Sequence, residues 1–232
     1  MLVSWIEYRA VAADLADFVR RPSMSEQQMS FGRPAFLVVA IVLSIDIAMT
    51  LSLIVLETGL EANGYEPPTL IEFNYSFPLE IFLTLVAAPV LEEALFRGWL
   101  TGYRRDIRFA AFAVGSLILV SLFNRAGIVA VNLVALVFLI VVAVNWYTQR
   151  GLSDEITPYF RKNFHWFVWG SSLLFGLSHL TNYSDATFGL DWLYIASQML
   201  GGLLLAYTRV RVGLWAAILH HAAFNTLFFY AI

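Results

Sequence analysis

From Ala35 to Leu56 the chain runs for 22 residues with one ionisable side chain, Asp46. A backbone in lipid must satisfy its own polar groups, so an apolar run of roughly 20 residues has one stable solution, a membrane-crossing α-helix. Further apolar stretches follow at about 79–101, 107–123, 127–147, 164–183, 189–208 and 212–231, divided by short polar breaks. They predict an all-α, polytopic membrane bundle of about seven transmembrane helices. Composition agrees: 59% of the 232 residues are hydrophobic and 13% charged, and the mean hydropathy of +0.71 exceeds that of soluble domains.

Ahead of these spans, Leu2, Trp5, Ile6, Val11, Leu15, Phe18 and Val19 recur at helical spacing against a charged face. That is the pattern of a helix lying in the membrane interface, or of one capping the bundle. Glu7, Arg9, Asp14 and Asp17 interrupt the apolar block that a cleaved secretory signal requires. Pro22 to Pro34, rich in Ser, Gln and Gly, reads as a linker. The expected organisation is an N-terminal amphipathic segment with its linker over 1–33 and a transmembrane domain over 34–232. Glu57 to Phe77, with Glu61, Glu66, Glu72, Pro67 and Pro68, reads as an exposed loop.

Cations accumulate in cytoplasmic loops. With the N-terminus cytoplasmic, Arg9, Arg20, Arg21, Arg33, Arg104, Arg105, Arg108, Arg150, Arg161, Lys162, Arg209 and Arg211 all fall inside and Arg125 alone outside. A net charge of −3 offers no basic field for nucleic acid, so no nucleic-acid partner is expected. The chain has no cysteine, which excludes disulfides, thiolate metal sites and a cysteine nucleophile.

An ionisable side chain at membrane depth costs roughly 2.5–3.5 kcal/mol on insertion scales, so each one demands a partner or a function. The second span contains Glu92, Glu93 and Arg97. Adjacent helical residues point about 100° apart, whereas positions i and i+4 share a face. Glu93 therefore pairs with Arg97, and Glu92 is left as a carboxylate able to act as a general base toward water. The fifth span places Phe175 four residues before His179, and the last places His221 four residues before Asn225. His221 and Asn225 supply donors suited to an oxyanion, while His179 can orient or share the proton of an activated water. His220 faces elsewhere and is assigned to packing; Asp46 is assigned to helix packing or water contact.

These residues resemble the motifs of the CAAX protease and bacteriocin-processing (Abi) family of intramembrane peptidases. Glu-Glu-x-x-x-Arg stands at Glu92, Glu93 and Arg97, Phe-x-x-x-His at Phe175 and His179, and His-x-x-x-Asn at His221 and Asn225. Gly201-Gly202, Tyr207, Arg209 and Gly213-Leu214-Trp215 also look like the family. The resemblance implies a glutamate-type intramembrane endopeptidase with a peptidase core over about 79–232. It implies that Glu92 and His179 activate the attacking water, that His221 and Asn225 hold the oxyanion, and that Glu93 and Arg97 hold the site together. It also implies a multi-pass protein of a bacterial cell membrane, acting on a membrane peptide or protein, lipidated or not. The family's first two motifs usually lie on consecutive helices; here 107–147 adds an apolar hairpin between them, which preserves helix polarity.

Glu92, His179 and His221 also have the atom types to hold zinc, which lowers the pKa of bound water to about 7. No His-Glu-x-x-His signature is present and the resemblance favours a metal-free mechanism, so no cofactor or metal is expected. A transporter would use buried acids and histidines as a relay, but no inverted repeat is evident. The main alternative is a catalytically silent scaffold or immunity protein of the same fold. On an even layout Glu92 lies toward the cytoplasmic half of its span and His179 toward the outer half, which a tilt or a broken helix must reconcile.

Overall fold

Gly32, at a φ of 152° that side-chain-bearing residues rarely adopt, hands the chain to Pro34, whose missing N–H leaves no orphan donor in a first helical turn. The helix that follows is the longest of the molecule. In the computed structural model, α1 covers Trp5–Arg20, α2 Arg33–Ala62, α3 Phe77–Phe82 and α4 Ala88–Phe96. Next come α5 Arg104–Arg125, α6 Ala130–Thr148, α7 Pro158–Lys162, α8 Phe164–Ser178, α9 Ala196–Arg211 and α10 Leu214–Phe228. Residues 5–25, 28–71, 74–125, 130–148, 155–187 and 189–229 are described, and no strand occurs among them. Glu72 of the expected loop and Arg150, counted above as a cytoplasmic cation, lie outside the described residues, as does the side chain of Arg125.

Among the described residues, one helix, α2, is long and apolar enough by itself to cross a membrane, with a window of mean hydropathy 2.5. The all-helical expectation holds among the described residues, whereas the count of about seven spans is not confirmed by length and apolarity. Three of the apolar stretches are broken. The stretch 77–101 is helical throughout but divides into α3, a π turn at Leu83–Ala87, α4 and a 3-10 turn at Gly98–Thr101. The 164–183 stretch leaves α geometry after Ser178 for a 3-10 turn at His179–Asn182. A 3-10 turn at Leu190–Ile195 likewise precedes α9. At the other extreme, α2 continues past Leu56 through Glu57 to Ala62, part of what the sequence suggested as loop. A helix of 30 residues is about 45 Å long, more than the ~30 Å hydrocarbon layer, so its last turns lie beyond it.

The bundle centres on α9, every residue of which from Gly201 to Val210 is buried, packed between α8, α10 and α2. Gly176 permits the closest approach, since a Cβ there would stand 2.9 Å from that of Met199 on α9. The extra hairpin, α5 with α6, packs mainly on itself.

The N-terminal helix is docked on the bundle as a cap. Leu15 and Phe18 are buried in the core, and the Phe18 ring meets Tyr207 edge-on at 5.4 Å. Asp14 receives hydrogen bonds from the Tyr207 hydroxyl (2.8 Å) and from Arg211 Nε and Nη2 (3.0 and 3.1 Å). Partial burial pushes the Asp14 carboxyl up, but the Arg211 and Tyr207 hydrogen bonds, with the Arg211 charge, outweigh it and hold the group below its ordinary value. A carboxyl lowered in the folded state contributes stability above its unfolded pKa and loses that contribution as pH falls through the folded one. Limited proteolysis of the linker after Arg20 is therefore expected to accelerate below about pH 4, and Asp14→Asn should abolish that acid dependence.

Candidate active site

Two short-range choices set the site. Pro89 lies inside the continuous helical stretch 77–96, where its missing N–H removes one helical hydrogen bond, and the π turn just before it fixes the rotation at which Glu92 and Glu93 emerge. At the other end of α4, Ser171 Oγ on α8 donates to the Phe96 carbonyl at 2.5 Å, and Arg209 Nε on α9 donates to the Arg97 carbonyl at 3.2 Å. Side chains of two neighbouring helices thus meet carbonyls at the C-terminal end of α4, that of Arg97 in addition to the Leu100 N–H it already accepts in the 3-10 turn.

Glu93 and Arg97 are fully buried and joined by an Nη1 to Oε1 hydrogen bond of 2.8 Å. The same Glu93 Oε1 lies 3.0 Å from His221 Nδ1. A carboxylate accepts only, so this nitrogen carries the proton and His221 Nε2 is the atom that faces outward, 3.8 Å from Glu92 Oε2. Glu93 therefore anchors two motifs at once, a link beyond the pairing with Arg97 that helix spacing predicts. The Arg97 guanidinium lies over the Phe175 ring at 3.9 Å, and its Nε and Nη2, which have no hydrogen-bond acceptor among the described residues, gain from that negative ring face.

Phe175 is the common wall. Its ring contacts His179 at 4.8 Å, His221 at 5.8 Å and Phe96 at 5.2 Å. His179 Nδ1 donates to the Phe175 carbonyl at 2.8 Å, since a carbonyl can only accept, so Nε2 is the free nitrogen of that ring. Glu92, His221 and Arg97 are its ionisable neighbours. The α-helix ends at Ser178, and in the 3-10 turn that follows the His179 ring folds back onto Phe175. The Glu92 side chain keeps 31% exposure, against none for Glu93, so only one of the two adjacent carboxylates is open to solvent. Asn225 Nδ2 donates to the Thr84 carbonyl within the π turn at 2.9 Å, which occupies one of its two amide protons.

The sequence matches the family model for type II CAAX prenyl endopeptidase Rce1-like proteins over residues 74–227, about two thirds of the chain. The chain belongs to that family. Neither a curated protein nor a solved structure matches it. The Rce1-like match makes the chain an integral membrane protein of a CAAX protease family, whose members act on membrane-associated proteins. Among the described residues of this Rce1-like chain, no three His, Asp or Glu side chains are grouped to hold a metal.

Three residues were given too small a part by sequence reasoning. Asp46 and His220 are both buried, with His220 Nε2 3.2 Å from Asp46 Oδ2 and His220 Nδ1 3.3 Å from Thr208 Oγ1. Two ionisable groups in apolar helices were the available signal, yet each was assigned to packing by itself. Arg209, counted as a cytoplasmic cation, is only 6% exposed and belongs to the support of Arg97.

Gly202 is the tightest neighbour of the ion pair. A Cβ there would lie 2.8 Å from Arg97 Nη2 and 3.1 Å from Phe175 Cδ1. Arg97 cannot retreat without leaving Glu93, so Gly202→Ala is expected to cost roughly 1–3 kcal/mol as overpacking. Thermal unfolding in detergent micelles reads this directly, and an unchanged midpoint would show that the guanidinium moves freely.

Proposed function

We propose that this protein is an intramembrane endopeptidase that hydrolyses a peptide bond of a membrane-associated peptide or protein, lipidated or not, without a covalent acyl-enzyme. The observation that carries the reading is the division of labour between neighbours: Glu93 is sealed by Arg97 and His221, while Glu92 keeps 31% exposure with its Oε2 3.8 Å from His221 Nε2. Glu92 is the carboxylate that water can reach, and as general base it removes the proton that frees hydroxide to attack the scissile carbonyl. His179, held by the Phe175 carbonyl through Nδ1, offers its Nε2 lone pair to the same water. Negative charge then develops on the carbonyl oxygen, where His221 Nε2, once protonated, and the second amide proton of Asn225 serve as donors. Collapse of the tetrahedral intermediate returns the proton from Glu92 to the leaving amine.

In this reading the bilayer is crossed about seven times, by α2, the helical stretch 77–101, α5, α6, α8, the stretch 190–211 and α10. The N-terminus is cytoplasmic, in a bacterial cell membrane, because twelve cations then share one side. The mechanism is metal-free, with no zinc or other cofactor, so chelators should leave activity intact. Comparative peptidomics of membranes carrying wild type or Glu92→Gln tests turnover and names the substrate together. Identical peptide profiles would replace the enzyme by a silent scaffold of the same fold.

A further inference from the structure

Between the linker after α1, the turn Gly98–Thr101, α7 and the end of α9 lies a recess of about 360 Å3. That is room for many times the ~30 Å3 share of a single water molecule. Gln28, Thr101, Tyr103, Arg161 and Arg209 form its polar lining, and no acid lines it among the described residues.

Arg209 is the unusual member. It is buried, yet only its Nε has a hydrogen-bond acceptor among the described residues, the Arg97 carbonyl. The carboxylates whose charge reaches it are Asp106 and Glu93. Asp106 is already taken by Thr101 Oγ1 (2.7 Å), Trp146 Nε1 (2.5 Å) and Arg105 Nε (3.4 Å), and Glu93 by Arg97 and His221. A buried guanidinium whose terminal fork lacks a counterion is expensive unless something anionic meets it. Across the recess Arg161, an exposed residue with no ion pair among the described residues, offers a second fork.

We propose that this recess binds a phosphate group, supplied by an anionic phospholipid headgroup or as free phosphate. Two guanidinium forks on separate helices, lining one recess with Tyr103, suit a tetrahedral oxyanion with several acceptor oxygens. Arg105 and Arg108 in the first turns of α5 add positive charge at the same end of the bundle, and neither they nor Arg104 line the recess. Because Arg209 also holds the Arg97 carbonyl, the bound phosphate steadies the support of Glu93.

Wild type, Arg161→Gln, Arg209→Gln and the control Arg104→Gln, each purified in detergent, are examined by native mass spectrometry after exposure to phosphatidylglycerol or phosphatidylcholine. Thermal unfolding is followed in parallel against inorganic phosphate. Retention of phosphatidylglycerol over phosphatidylcholine, weakened about tenfold in Arg161→Gln and not in Arg104→Gln, supports a headgroup site. A rise in unfolding temperature with inorganic phosphate that disappears in Arg161→Gln supports free phosphate. Arg161 is exposed, so this arm stands even if Arg209→Gln fails to fold. Equal behaviour of wild type and Arg161→Gln toward both probes, or equal losses in Arg161→Gln and Arg104→Gln, overturns the proposal.

Discussion

Glu92→Gln, in folded and membrane-inserted protein, is expected to lower peptide cleavage by roughly 10²–10⁴-fold, the contribution of a positioned general base. The substitution keeps the side chain's shape and removes only its ability to take a proton. Structural damage should be slight, because the Glu92 side chain is part-exposed and the nitrogen facing its Oε2, His221 Nε2, stands 3.8 Å away. His221 itself stays fixed by Glu93 at 3.0 Å. An unchanged unfolding temperature with lost turnover is thus the signature expected. Loss of turnover that tracks loss of folded protein would instead make Glu92 a structural residue.

The neighbouring substitution should do the reverse. Glu93→Ala leaves Arg97, fully buried, with no carboxylate, and breaking one half of a buried pair typically costs about 3–5 kcal/mol. It also frees the His221 ring, so activity falls with stability. Glu93→Leu combined with Arg97→Met removes both charges and is expected to recover much of the unfolding temperature, since well-packed apolar pairs replace buried ion pairs at little cost. Activity should not return, because nothing then holds the His221 Nδ1 proton. Recovery of cleavage in the double variant would show that the pair has no positioning role.

Helix class was legible because runs such as Ala35–Leu56 leave the backbone no other way to satisfy itself. Span edges were less legible, since hydropathy does not register a π turn at Leu83–Ala87 or a 3-10 turn at His179. The first is met by a partner 141 positions away, Asn225, and the second turns the His179 imidazole onto the carbonyl of Phe175 four residues back, a backbone contact that hydropathy does not encode. Within the site, spacing along one helix predicted Glu93 with Arg97. It held no information on the His221 contact, 128 positions away. Asp46 with His220 escaped for the same reason: helix α2 lies ahead of the family match, and only packing brings it to α10.

The widened turn at Leu83–Ala87 inserts one residue beyond regular winding and so offsets the two halves of the 77–101 helix by about 100°. Deleting a single residue there would restore ordinary winding and swing Glu92 round the helix relative to its upstream half, trading places with a lipid-facing neighbour. Chain length in this five-residue stretch is therefore as strict a requirement as the identity of the carboxylate it aims.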